Sequence, residues 1–396
     1  MDHAGQKTNR LAQASACVLY ATFALTGFAT ALLGATLPVM LARWSLSDRR
    51  AGVLFLMIFF GSSMGALLSR GRPAASVTRG AALLAPSCVA LAFASRWAVF
   101  PAAFVYGLSL GITMTSISLL RSARCVESRV REMNRLNLIW AFGAFTCPWL
   151  ANAVIGYTGV RVLLLGLGAI FAAFFVWALV VEMGRMPVAE ARGVAARAGG
   201  TRLPIVIAIV TFLAVGLESS TGAWIATYAE RLRNGFEAPV AAATVFWFGL
   251  LASRALHSTR TVAKLHERVL LRIDIAIAAL GCCVLLLSTA PPMLLVAAAL
   301  IGCGVGPVYP VLMAAVLPWV SGNMIFVMAG LGGTLFPLMT GALSTRAGSL
   351  RVGMLVPAMA GFGMLCLIPF AVKRLAPRGF DGSTIDPAES ASRARG

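Results

Sequence analysis

The chain is divided by its own charges. Runs free of Asp, Glu, Lys and Arg extend over residues 11–42, 51–69, 80–95, 97–120, 136–160, 162–181, 203–217, 219–229, 238–253, 275–345 and 352–372. A helix needs roughly 20 apolar residues to cross about 30 Å of hydrocarbon, and a charge inside it costs several kcal/mol. The runs 203–217 and 219–229 are one, interrupted only by Glu218. The run 275–345 is too long for a single helix; Pro291-Pro292 and Ser321-Gly322-Asn323 divide it into three. Twelve spans are therefore predicted, at 17–41, 51–68, 80–95, 98–120, 136–157, 161–182, 204–229, 239–256, 270–289, 292–318, 324–345 and 351–372. The fold class is an all-α membrane protein.

The 33 basic residues against 14 acidic ones, a net charge of +19, would ordinarily point to nucleic acid. Their location gives another reading. With the N-terminus cytoplasmic, 24 of the 33 fall in cytoplasmic segments and 9 in outer loops. Both termini are then cytoplasmic, the surplus meets anionic lipid, and nucleic acid is not a partner. With 12% of residues charged and 59% apolar, the chain is neither disordered nor a soluble multidomain enzyme. The expected location is the bacterial inner membrane. The first apolar run is too long for a cleaved signal peptide. Seven of eight Cys residues fall in or beside spans and only Cys125 in a loop, so no metal or disulfide framework is expected. His3, His257 and His266 lie outside every predicted span, and no catalytic cluster or cofactor site is seen.

The longest break, 183–203, separates six spans from six. The expected organisation is an N-tail (1–16), a six-helix half (17–182), a linker (183–203), a second half (204–373) and a disordered tail (374–396). Gly143, Pro148 and Gly159 recur as Gly332, Pro337 and Gly348, each 189 residues on, and Gly27 recurs as Gly216. Two six-helix pseudo-repeats around a central path is a design of secondary transporters.

On these motifs the sequence resembles the major facilitator superfamily, and within it the fucose/proton symporter-like branch of sugar permeases. The likeness covers residues 17–373. It is carried by Gly27-Phe-Ala-Thr-Ala-Leu-Leu-Gly34 with Leu37-Pro38, by Leu136-Asn137 and Phe142-Gly143-Ala144, and by Gly216-Leu-Glu218-Ser-Ser-Thr-Gly222-Ala-Trp224. Phe246-Trp247-Phe248-Gly249 with Arg254, Gly306-Pro307-Val-Tyr309-Pro310 and Gly330-Leu-Gly332-Gly333 complete it. The chain departs from the branch in the fourth span, where Met114 and Ser118 stand in place of an acid and an amide. The first span also lacks an acid, and the loop after the second is reduced to Ser69-Arg70-Gly71-Arg72.

Glu218 is the one acid well inside a predicted span. Counted from Pro204 it lies about 21 Å along the helix, at 1.5 Å per residue. An intramembrane carboxylate normally faces a cavity; here it is expected to bind a sugar hydroxyl or carry a coupling proton, with helix packing as the alternative. Asn137 offers amide donors and an acceptor suited to a polyol. Trp140 and Trp224 are candidates to stack on a sugar face. Thr221 shares the face of Glu218, and Tyr309 sits between Pro307 and Pro310, where the tenth span should bend. Hinge or gating roles fall to Pro307, Pro310, Gly332, Pro337 and Arg254, the last at the inner surface. Asp274, close to Arg268 and Arg272 near a helix start, is expected to serve in a structural ion pair or in favourable placement on the helix dipole rather than to contact solute, and Glu127 and Glu132 to form solvated pairs.

No Gly-x4-Gly-Lys-[Ser/Thr] loop is present, so direct ATP hydrolysis is not expected. The expectation is a secondary transporter, acting as a monomer and moving a small polar solute by alternating access. On the resemblance, the solute is a sugar or polyol; coupling is to a proton or another ion gradient, or is absent. The alternatives are an exporter of drugs or metabolites in the same fold, and a non-transporting membrane sensor or scaffold.

Overall fold

The structure, a computed structural model, describes residues 2–69, 73–124, 129–180, 203–232, 238–259, 262, 265–287, 290–316 and 324–375. The linker up to residue 202, the tail from 376, Arg70 to Arg72, Cys125, Glu127 and the 321–323 break lie outside them. The described chain is helical: α1 (Asp2–Ala35), α2 (Leu37–Trp44), α3 (Asp48–Leu68), α4 (Pro73–Phe93), α5 (Val99–Arg124), α6 (Arg129–Thr158), α7 (Val160–Val180), α8 (Ile205–Arg231), α9 (Ala238–His257), α10 (Glu267–Leu287), α11 (Pro291–Val305), α12 (Val308–Val316), α13 (Met324–Ala347), α14 (Leu350–Gly353) and α15 (Leu355–Arg374). These supply twelve segments long and apolar enough to cross a membrane, matching the twelve expected spans in order.

The boundaries differ where proline or charge misleads a count of apolar residues. The first span stops at Ala35, because Pro38 has no N–H for the carbonyl of Gly34, and the chain restarts as α2. Its helix begins far earlier than residue 17, at Asp2, since nothing in the N-tail breaks it. The third span begins at Pro73, seven residues before the charge-free run, with proline in the first helical position and Arg79 carried inside the helix. The tenth is interrupted after Val305, at Gly306-Pro307, so α11 and α12 are separate pieces.

Packing within each half brings backbones close. A Cβ on Gly27 of α1 would lie 2.0 Å from the Trp140 carbonyl oxygen of α6, and one on Gly143 would lie 1.8 Å from that of Ala24. In the second half, a Cβ on Gly332 of α13 would lie 2.1 Å from the Phe212 carbonyl oxygen of α8. Lipid tails are as apolar as Leu, so helices gain by van der Waals approach, which small residues permit. Gly143 and Gly332 belong to the 189-residue repeat, and so do Gly159 and Gly348. The last two are the positive-φ glycines of the described residues (+82° and +64°), turning α6 into α7 and α13 into α14. The repeat read from sequence is thus a repeat of backbone geometry.

Between the halves, side-chain hydrogen bonds are added to glycine contacts. At the end of the bundle remote from the N-terminus, here the distal end, Asp48 of α3 receives two hydrogen bonds of 2.6 Å from Arg231 of α8. Asp48 also accepts one from Ser344, and the Arg49 amide donates to Thr345 Oγ1 at 2.8 Å. Beneath this clamp Gly34 of α1 abuts Gly222 of α8, and Gly52 of α3 abuts Leu338 of α13. Asp48 was not among the residues singled out from sequence, because it stands just outside a charge-free run.

The glycine crossings generate a direct expectation. Gly143→Ala must separate α1 from α6 and should lower the melting temperature in detergent, at about 1–3 kcal/mol for overpacking. Gly166→Ala, with nothing within 4 Å of its Cβ, should leave the melting temperature unchanged or raise it. Equal melting temperatures for Gly143→Ala and the parent would refute the crossing.

Candidate functional site

The tenth span makes the site. Pro310 lacks an N–H, so the carbonyl of Gly306, four residues earlier, has no helical partner. In hydrocarbon such a group must be satisfied from within the protein. Arg254 of α9 does this, its Nε–H donating to the Gly306 carbonyl at 2.9 Å. The same guanidinium reaches α8, where Nη2 lies 3.4 and 3.3 Å from the two carboxylate oxygens of Glu218. It also sits over the ring of Trp140 on α6, 5.6 Å from the centroid. Tyr309, just past the break, is within electrostatic reach of both Glu218 and Arg254.

This placement revises two expectations. Arg254 does not anchor an inner surface; it is buried, because Glu218 and the freed Gly306 carbonyl draw it inward. Glu218 is not displaced from the middle of its span. With α8 running from Ile205 to Arg231, it stands 13 residues from either end. It is also not a free carboxylate, since Arg254 pairs with it.

Around the pair lies a set of uncommitted donors. Trp247 of α9 meets Trp140 edge to face at 5.9 Å, joining the two halves. The indole N–H groups of both are buried without a hydrogen-bond partner, as is the hydroxyl of Thr221, one turn from Glu218. Asn137, half-buried, lies one turn before Trp140 on α6. Buried polar groups are normally satisfied, so a cluster left open marks a place where another molecule supplies the partner. Trp247 was visible in sequence only as part of a motif; its adjacency to Trp140 depends on how α6 and α9 meet.

Other candidates go elsewhere. Trp224 is fully buried on a different face of α8, with its Nε1–H donating to the Pro337 carbonyl at 3.1 Å and its ring 6.1 Å from Phe55. It ties α8, α13 and α3 together near the clamp. Gly332 and Pro337 lie on α13, outside the cluster around Arg254, Gly332 pressed against α8. Glu132 is not solvated: it is 6% exposed and accepts from Tyr20 and Arg121, both at 2.6 Å. Asp274 pairs with neither Arg268 nor Arg272 but with His257. Among the described residues no group of His, Cys, Asp and Glu could hold a metal ion.

The family model described as Major Facilitator Superfamily matches residues 19–318. No curated protein matches the sequence. Among solved structures, the crystal structure of a mutant of the nucleoside transporter NupG is similar at a TM-score of 0.67 and 14% identity. The match covers 91% of this chain and 100% of that one. At that identity the likeness is one of fold.

The Glu218–Arg254 pair should behave as a unit. Arg254→Met leaves a buried carboxylate unpaired and should cost about 3–5 kcal/mol of stability. Adding Glu218→Gln should recover part of this loss in detergent unfolding. A double variant that costs the full sum of the singles would show that the two groups are not coupled.

Proposed function

The chain belongs to the major facilitator superfamily, and we propose that this transporter carries a sugar or polyol through the Glu218–Arg254 site by alternating access. The observation that carries the reading is the loose, buried ion pair at the seam of the halves, covered by Trp140, whose ring meets Trp247; both indole N–H groups are without a partner. A polyol presents hydroxyls that both donate and accept. Glu218 accepts from them, and Arg254, Trp140 and Trp247 donate, while the indole faces cover the apolar C–H side of a ring. Asn137, Thr221 and Tyr309 extend the polar lining. Pro307 and Pro310 are the points where α11 and α12 yield as the halves rock, and Gly332 and Pro337 keep α13 against α8. The carrier works as a monomer in the bacterial inner membrane, with both termini cytoplasmic and a proton gradient as its energy source. This is the chemistry of the fucose/proton symporter-like branch.

A second reading has support from two tryptophans in edge contact: a nucleoside offers both a sugar and a flat base, and the structural neighbour is a nucleoside transporter. An exporter of apolar drugs is the remaining transport alternative: Phe246 is buried against Trp247, and Phe336 abuts Gly216, two residues before Glu218.

Counterflow of labelled sugars and nucleosides in proteoliposomes tests the proposal. Exchange of a sugar is the expected result, and exchange of nucleosides alone selects the second reading. Extrusion of cationic dyes without either exchange overturns both in favour of an exporter, and binding without flux points to a sensor. Trp247→Phe keeps the ring and removes one donor, so the KM for counterflow should rise about five- to tenfold, as for one hydrogen bond of about 1–1.5 kcal/mol. Trp224→Phe should lower stability and leave KM unchanged.

A further inference from the structure

One turn beyond Arg254, α9 ends in a further buried pair of titratable side chains that the central site does not use. His257 is its last residue, and Asp274 lies in the second turn of α10. The two side chains are 15% and 5% exposed. Both ring nitrogens of His257 face acceptors: Nδ1 is 2.9 Å from the Ser253 carbonyl oxygen, and Nε2 is 3.0 Å from Asp274 Oδ2. A carbonyl oxygen only accepts, so Nδ1 carries a hydrogen. A neutral imidazole has one N–H, which would leave the Nε2 lone pair facing a carboxylate lone pair. The contact is bonding only when a further proton sits between Nε2 and Oδ2.

We propose that His257 and Asp274 form a proton-binding site whose occupancy controls the end of α9, and that the transported proton resides there rather than on Glu218. The second half of this statement rests on the gradient-driven reading of the preceding section. Glu218 is a poor carrier because its protonation would strip Arg254 of its counter-charge in the membrane interior. The His257–Asp274 pair takes up a proton without that penalty. When the proton leaves, the tie between α9 and α10 becomes repulsive. The strain falls on the turn that holds Arg254: the Ser253 carbonyl accepts from His257, and Gly306, the acceptor of Arg254, packs against the Ser253 hydroxyl.

Among the described residues, His257 is the one group within ion-pair distance of Asp274. On α6, Arg131 and Arg135 are exposed and Glu132 pairs with Arg121; on α8, Glu218 pairs with Arg254. On α9, Arg254 is committed to Glu218 and Gly306. On α10, Arg268 donates to the Leu375 carbonyl, Arg272 is exposed, and Glu267 lies two turns before Asp274. The segments α11 and α12 carry no Asp, Glu, Lys or Arg, their titratable groups being Cys303 and Tyr309. On α15, Lys373 and Arg374 occupy the last turn.

The test uses the full chain. Nitrogen-15 spectra of labelled histidine, with the His257 signal assigned by its loss in His257→Gln, are recorded with carbon-13 spectra of the Asp274 carboxyl between about pH 5 and 8. A shared proton at neutral pH appears as a doubly protonated ring or as a protonated carboxyl. A neutral ring beside an ionised carboxylate throughout that range overturns the site. In proteoliposomes, His257→Gln and Asp274→Asn should retain counterflow and lose accumulation driven by a pH gradient. Accumulation at the parent level in either variant overturns the coupling role. A variant that fails to fold is replaced by Asp274→Glu, which keeps an acid and should restore accumulation. If the parent exchanges solute but never accumulates it, the gradient-driven reading fails, and the spectra alone still decide whether the pair binds a proton.

Discussion

A carbonyl group deprived of its helical partner inside a membrane governs the centre of this protein. Pro310 cannot bond to Gly306, so the carbonyl takes its donor from another helix. The donor that fills the gap is charged, so it brings a counter-ion requirement with it. Glu218 answers that requirement from α8, and Trp140 covers the guanidinium from the other half. One proline thus accounts for why an arginine is buried, why a carboxylate stands at the midpoint of a span, and why the two meet at the seam between the halves.

The two kinds of contact in the bundle have different mechanical consequences. Within each half, helices touch backbone to backbone through glycine, as at Gly143 on Ala24 and Gly332 on Phe212. Such crossings have little slack, because any separation forfeits dispersion contacts at once. Between the halves, glycine crossings at the distal end (Gly34 on Gly222, Gly52 on Leu338) are accompanied by side-chain contacts: the Asp48–Arg231 clamp, the Trp140–Trp247 edge contact and the Arg254–Trp140 stack. The side-chain contacts can be broken and remade without rebuilding a helix crossing. Rigid halves joined by exchangeable contacts are what alternating access requires.

Much of this was legible in the sequence, for reasons that can be stated residue by residue. Charge is so costly in hydrocarbon that the spans declare themselves, and the 189-residue repeat singled out Gly159 and Gly348, which stand at turns of positive φ that glycine accepts without strain. Glu218 was conspicuous for the same electrostatic reason. What could not be read was pairing across helices. Arg254 looked terminal because it stands three residues from the end of α9, yet its side chain reaches back to the break in the tenth span. Trp224 looked like a ligand-binding aromatic because it shares a motif with Glu218. Six residues further along a helix turn through about 600°, however, which carries its ring to the α13 side. Glu132 and Asp274 were assigned solvated or arginine partners because those were near in sequence, whereas Tyr20 and His257 are near in space.

The distances within the Asp48–Arg231 and Glu218–Arg254 pairs divide their tasks. Asp48 and Arg231 are engaged through two bonds of 2.6 Å at the distal end, where only a conformational change of the whole bundle should part them. Glu218 and Arg254 share a single nitrogen at 3.3 and 3.4 Å. A buried pair in ideal geometry would be a trap, because a solute hydroxyl could not compete with a fully satisfied carboxylate and guanidinium. A pair held short of ideal, with one arm of the arginine fixed to Gly306 and the other only partly engaged, keeps both charges neutralised while leaving bonding capacity to offer. That is the balance a carrier needs, since a site that satisfied itself completely would bind nothing and one left wholly unpaired would not survive in the membrane.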